Sequence, residues 1–169
     1  MSYYQYSVTL RYMCRTFPQK CSSFYPESTN PALVCNIDMI LDYMNSGIFA
    51  IIPKSCYPAL GLTAGPGDVC MMDSTKDHTD EAMRECGEAM FRILTDKFAG
   101  IFLKNTKFLL SDTPTIADFR FAPMLIYIKI ATKLPSRLEE YFNDDMGNLP
   151  LFLDTIKKVI DFAQPKWKI

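Results

Sequence analysis

Leu109 to Phe119 reads Leu-Leu-Ser-Asp-Thr-Pro-Thr-Ile-Ala-Asp-Phe, and this string constrains the fold more than any other in the chain. Thr115 stands three residues before Asp118, which is capping-box spacing. The Thr115 hydroxyl can accept the backbone N–H of Asp118, and the Asp118 carboxylate can reach back to the N–H of Thr115. A helix is expected to start there. Pro114 before the cap and Phe119 one turn inside it are placed for a hydrophobic staple. Ile116, Phe119, Ala122, Pro123 and Ile126 continue an apolar face at helical spacing. Pro123 is expected to kink this helix, at about 3 kcal/mol unless packing compensates. Leu125, Ile126, Ile128, Ile130 and Leu134 extend it as a segment buried on most sides, and Pro135 closes it.

The rest of the chain also reads as helices. Tyr6, Leu10, Met13, Cys14 and Phe17 recur at spacings of three and four, predicting a short helix over Tyr3 to Phe17 that Pro18 ends. A polar connector follows. Thr29 or Asn30 then caps a helix with Pro31 in its first turn. Leu33, Val34, Ile37, Ile40, Leu41, Met44 and Ile48 form one continuous apolar face, the clearest amphipathic helix in the sequence. From Pro53 to Asp73 the pattern dissolves into proline and glycine turn signals. Gly61, Gly65 and Gly67 do not make a phosphate loop, because no Lys-Ser/Thr follows and no buried strand precedes.

A further helix is expected to bury Met83, Cys86, Met90, Ile93, Leu94 and Phe98, with Gly87 allowing a close approach and Gly100 ending it. Ser136 caps a short helix through Tyr141. Gly147 to Pro150 turns into a last helix carrying Leu151, Phe152, Ile156, Val159, Ile160 and Phe162. Lys157 and Lys158 near its C-terminal half suit the helix dipole, and Trp167 in the tail is placed to fold back or to anchor a partner. No strand pattern stands out, so the fold class is all-α, a bundle of about six helices.

Composition removes several functions. At 169 residues, 49% hydrophobic and 22% charged, the chain can form one core that buries about 70% of its unfolded surface. A net charge of −1 and the lack of basic runs argue against nucleic acid or an anionic membrane as partner. No stretch reaches 18 consecutive apolar residues, so no transmembrane segment is expected. Six cysteines without a Cys-x-x-Cys pair and a single histidine argue against zinc and for reduced thiols in the cytoplasm. Asp73 to Glu81, with its acidic residues and His78, reads as a solvated helix start rather than a metal site.

The string Ser111 to Phe119 resembles the buried central helix of the C-terminal domain of glutathione transferases, where the motif serves folding. The family commonly has Gly where Ser111 stands. Ile37-Asp38-x-x-Leu41-x-Tyr43 resembles the first helix of that domain. Gln5 to Met13 resembles the last helix of the thioredoxin-like half, and Phe24-Tyr25-Pro26 is similar to the interdomain connector of theta-like members. The resemblance divides the chain into 1–17, a remnant of that last helix; 18–30, a linker; and 31–169, the helical domain. It makes Gln5 and Asp38 the candidates for holding glutathione, although Tyr6 occupies the position where the family has Ser. No residue is expected to be catalytic. Family members activate the glutathione thiol with a Tyr, Ser or Cys early in the thioredoxin-like half, and Met1 to Ser7 offers no scaffold on which Ser2, Tyr3 or Tyr4 would do so.

Two functions follow from the resemblance. In one, the chain is a non-catalytic module acting as an interaction or assembly subunit with other protein subunits or a homodimer partner, needing no cofactor. In the other, it is the C-terminal part of a theta-like transferase that conjugates glutathione to electrophiles. A ligand carrier using an apolar helical pocket is a third. The first-helix residues Tyr4, Val8, Leu10 and Tyr12 discriminate, because that helix normally lies beneath a β-sheet. Without the sheet they form an apolar patch that something must cover.

Overall fold

A computed structural model describes residues 5–56, 80–133, 151–152 and 154–155. The expectations for Gly61 to Gly67, His78, Ser136 to Tyr141 and Trp167 lie outside them. The described residues are mostly helical, with one isolated antiparallel bridge between Phe108 and Ser111. The all-α expectation holds.

Helix α1 spans Gln5–Thr16. Phe17 leaves the helical region at φ −122° and ψ 59°, and Pro18 opens a one-turn helix, α2, over Pro18–Cys21. The proline therefore both ends one helix and starts the next, since its fixed φ suits a first turn. The face that α1 buries differs from the expected one. Tyr6, Met13 and Phe17 are exposed, whereas Ser7 and Cys14 are buried and Leu10 and Arg11 half-buried. α1 carries apolar residues on several sides, so spacing alone does not choose among its stripes.

Helix α3 (Pro31–Tyr43) starts as expected: Asn30 is the cap, its Oδ1 accepting the Leu33 N–H at 3.0 Å, and Pro31 opens the first turn. Val34, Ile37, Ile40, Leu41, Met44 and Ile48 are all buried and Leu33 is half-buried. Met44–Ile48 widens into a π-helical turn, closed by the Phe49 N–H donating to the Met44 carbonyl five residues back. The Ser46 hydroxyl takes the Asp42 carbonyl at 3.0 Å. The chain then remains helical as α4 (Phe49–Ser55) instead of dissolving at Pro53. Ile48, Ile52 and Cys56, spaced by four, are buried, and packing along that face carries the helix past the proline.

Helix α5 (Asp80–Arg92) packs against α4 and continues as a π-helical segment, Ile93–Phe102. Gly100 does not end it. The last turn closes when the Leu103 N–H donates to the Phe98 carbonyl at 2.8 Å. The wider turn brings the Thr95 carbonyl oxygen to 3.0 Å from where a Cβ on Gly100 would stand, so glycine is needed here for space. Met90, Leu94, Phe98 and Phe102 give this element its buried ridge.

The chain reverses at Leu110, which adopts a positive φ of 55°. The Leu110 N–H donates to the Phe102 carbonyl at 2.8 Å. The left-handed residue thus falls one position before Ser111, whose hydroxyl accepts the Thr113 N–H at 3.1 Å. Helix α6 (Ile116–Lys133) follows and runs on through Pro123. Ile116, Ala117, Phe121, Ala122, Met124, Leu125 and Ile128 are buried, so α6 is enclosed on most sides, as expected. Pro123 is exposed and does not belong to the buried face. Phe121 stacks on Phe98 with centroids 4.1 Å apart and meets Phe152 at 5.5 Å. Tyr43 and Phe102 complete the aromatic cluster.

Candidate functional site

The capping residues of α6 form the most buried polar group described. Asp118 accepts the Thr115 N–H at 2.7 Å, the Thr115 hydroxyl at 2.8 Å and the Leu109 N–H at 2.8 Å. One half of the box is as expected. In the other half, the Thr115 hydroxyl accepts from Ala117 at 3.3 Å, while the Asp118 N–H goes to the Thr115 carbonyl. Phe119 sets its ring edge-on to Phe24 at 5.1 Å. Burial pushes the Asp118 carboxyl up to about 6, against the pull of its donors. With no exposure to solvent, this group serves folding.

Asp38 is neither buried nor simply solvated. Arg11 on α1 donates to its Oδ1 through Nε at 2.9 Å and pairs with it through a terminal nitrogen at 2.7 Å. The Tyr25 hydroxyl donates to its two oxygens at 3.0 and 3.2 Å. The carboxylate therefore ties together α1, the connector and α3. Burial, with help from Asp38, raises the Tyr25 hydroxyl above the ordinary phenol value and keeps it a donor. Arg15 pairs with Glu27 next to this group and lies 6.0 Å over the Tyr25 ring. Gln5, the other candidate for glutathione, is the first residue of α1, six residues before Arg11, or about 9 Å along the helix axis.

Large apolar side chains are exposed on both flanks of α1 and just beyond its end. Tyr6 is 52% exposed, Val8 63%, Tyr12 65%, Met13 45% and Phe17 50%. Val8 and Tyr12 were among the residues expected to form such a patch; Leu10 is half-buried. α1 has only two charged residues: Arg11, which pairs with Asp38, and the exposed Arg15, which pairs with Glu27.

Three residues that the spacing did not single out complete the region. Arg120, buried on α6, lies over the Phe49 ring at 4.0 Å and the Tyr6 ring at 5.0 Å, joining α6, α4 and α1 by cation–π contacts. Arg11 and Tyr25 hold Asp38. Their partners are distant in sequence, so no local pattern announced them. Burial pushes the Cys14 thiol up, with Cys21 adding to the shift, which favours the protonated form over the thiolate. Among the described residues no cluster of His, Cys, Asp and Glu could hold a metal ion, and no helix is long and apolar enough to cross a membrane.

The architecture is that of a helical bundle built around an N-capped, largely enclosed central helix. Residues 80–145 match the family model described as "Glutathione S-transferase, C-terminal domain". This part of the chain, less than half of its length, is similar to that domain. The match includes α5, the Leu110 turn and the Thr115–Asp118 cap; α1 and α3, with Gln5 and Asp38, lie outside it. No curated protein and no solved structure matches the chain.

Proposed function

We propose that the chain is a non-catalytic glutathione-transferase-like module that acts as an interaction or assembly subunit in a larger protein complex. The observation that carries this reading is the exposure of large apolar side chains along α1 and just after it: Tyr6, Val8, Tyr12 and Met13 on the helix, and Phe17. Apolar patches of about 300–600 Å² are the largest on ordinary monomers and are often interaction sites. Residues 1–17 belong in this reading to the last helix of a thioredoxin-like half, 18–30 to the linker and 31–169 to the helical domain. The pairing of Asp38 with Arg11 and Tyr25 favours a structural use of that carboxylate over a place in a glutathione site.

A second reading is supported by the family match and by the resemblance of Gln5 to Met13 to the helix that lies beneath the family's β-sheet. Here the α1 face is covered by a thioredoxin-like half. The whole protein is then a theta-like transferase conjugating glutathione to electrophiles, with Gln5 and Asp38 near the peptide.

The native mass of the species purified from its source, followed by its retention on immobilised glutathione, tests the two. A larger assembly that ignores glutathione supports the module. A small homodimer retained on the matrix and eluted by free glutathione supports the transferase and ends the first reading.

A further inference from the structure

Most helices in this bundle are attached by large apolar side chains: α3 through Ile37, Ile40 and Leu41, α6 through Phe121, Leu125 and Ile128. α1 is not. The side chains it buries are the small ones of Ser7 and Cys14, at 4% and 6% exposure; Leu10 is only half-buried against the core, and Val8, Tyr12 and Met13 are exposed. Its long charged side chains reach other elements: Arg11 pairs with Asp38 and the exposed Arg15 with Glu27. The Tyr6 ring adds its contact with Arg120.

We infer that α1 is latched to the helical body chiefly by polar contacts, with Asp38 as the positioning residue that fixes its outer face. The Arg15–Glu27 pair is exposed and weak on its own. Arg11 is the less accessible cation, and its guanidinium shares one carboxylate with the hydroxyl of a buried tyrosine. Charge-assisted bonds of this kind are about twice as strong as neutral ones. Tyr25 sits on a connector that is itself anchored, since the Ile116 N–H donates to the Phe24 carbonyl at 3.0 Å and Phe24 packs on Phe119. Asp38 and Tyr25 thus form a fixed receptor into which α1 inserts Arg11. Such a latch responds to salt, because partly exposed ion pairs are screened while apolar contacts are not. The inference rests on the reading of α1 as the docking element only in giving the latch a purpose; the attachment stands or falls by itself.

Amide hydrogen exchange of the purified full chain, followed by mass spectrometry, tests it. In Asp38→Asn, exchange over Gln5–Thr16 should accelerate about 10- to 100-fold, with α3 and α6 unchanged. Arg11→Gln should do the same from the other side, and Tyr25→Phe, which keeps the ring, should give only about threefold. Exchanging the charges in an Arg11→Asp, Asp38→Arg double variant should restore much of the protection. Raising salt from 0.1 to 1 M should loosen α1 in the parent protein and change Asp38→Asn little. Unchanged α1 exchange in both single variants, or an equal loss in every helix, overturns the latch. Native mass is measured alongside. If α1 loosens while the assembly keeps its mass, the latch is upheld and the docking role of α1 falls.

Discussion

The Asp118 Oδ1 accepts the backbone N–H of Leu109 at 2.8 Å, across nine residues of chain, while its Oδ2 caps the helix that Asp118 itself belongs to. One carboxylate thereby binds the entering turn to the first turn of α6. The turn holds Leu110 at a φ of 55°, a conformation that costs a residue with a Cβ about 1–2 kcal/mol. Fixing the Leu109 N–H helps hold that geometry.

Replacing Asp118 should therefore destabilise more than loss of an ordinary cap. Asp118→Ala leaves two buried N–H groups and a hydroxyl unmatched, and a loss of about 3–5 kcal/mol is expected. Asp118→Asn retains one acceptor oxygen and should lose about 1–3 kcal/mol. Urea unfolding at neutral pH checks both, and equal stability of the two variants would contradict the two-oxygen role.

The Asp118 carboxyl, at about 6 in the folded chain against an ordinary 3.8, also sets a pH dependence. The folded protein binds this proton more tightly than the unfolded one. Its contribution is complete below about pH 4 and is lost as pH rises through about 6. The stability advantage of the parent protein over Asp118→Asn should shrink by up to about 3 kcal/mol across that window, at about 1.4 kcal/mol per unit, and be flat above it. Chemical denaturation of both proteins from pH 4 to 8 measures this.

Phe98 lies at the centre of the aromatic cluster, fully buried and stacked on Phe121. Phe98→Ala should cost about 3–5 kcal/mol and Phe98→Leu less, because leucine leaves a smaller cavity. Thermal unfolding of the two variants ranks them.

Gly100→Ala runs against helix propensity. In an α-helix the change stabilises by about 1 kcal/mol. Here the new methyl carbon would meet the Thr95 carbonyl oxygen at 3.0 Å, and a net loss of about 1–3 kcal/mol is expected. A rise in melting temperature would mean that the last turn of Ile93–Phe102 is not held at its π-helical width.

Val8→Lys and Tyr12→Lys change only the outer face of α1, where both residues are well exposed. Each should alter the stability of the isolated chain by no more than about 0.5 kcal/mol. If this face docks onto another protein, the pair of changes should reduce the native mass of the assembly. An unchanged mass would remove the face from the interface.

Much of the fold is local and could be read directly. The Thr115–Asp118 spacing, the Asn30-Pro31 start and the run from Leu33 to Ile48 each encode a helix end or one buried stripe within a few residues, and the structure has them. Two breakers misled: Pro53 and Gly100 lie inside helical segments, where the buried ridges Ile48–Ile52–Cys56 and Leu94–Phe98–Phe102 outweigh the local preference. The candidate site was less legible. Asp38 could be singled out, but its partners are 27 and 13 residues away and no periodicity points to them.

The sequence by itself determined that the chain is helical, where its central helix starts, and which side of α3 is apolar, because capping and 3.6-residue periodicity act within a turn or two. Only the tertiary structure decided which side of α1 faces the body. α1 carries apolar residues nearly all round, and its orientation follows from where Asp38, Tyr25 and Arg120 stand once the other helices have packed.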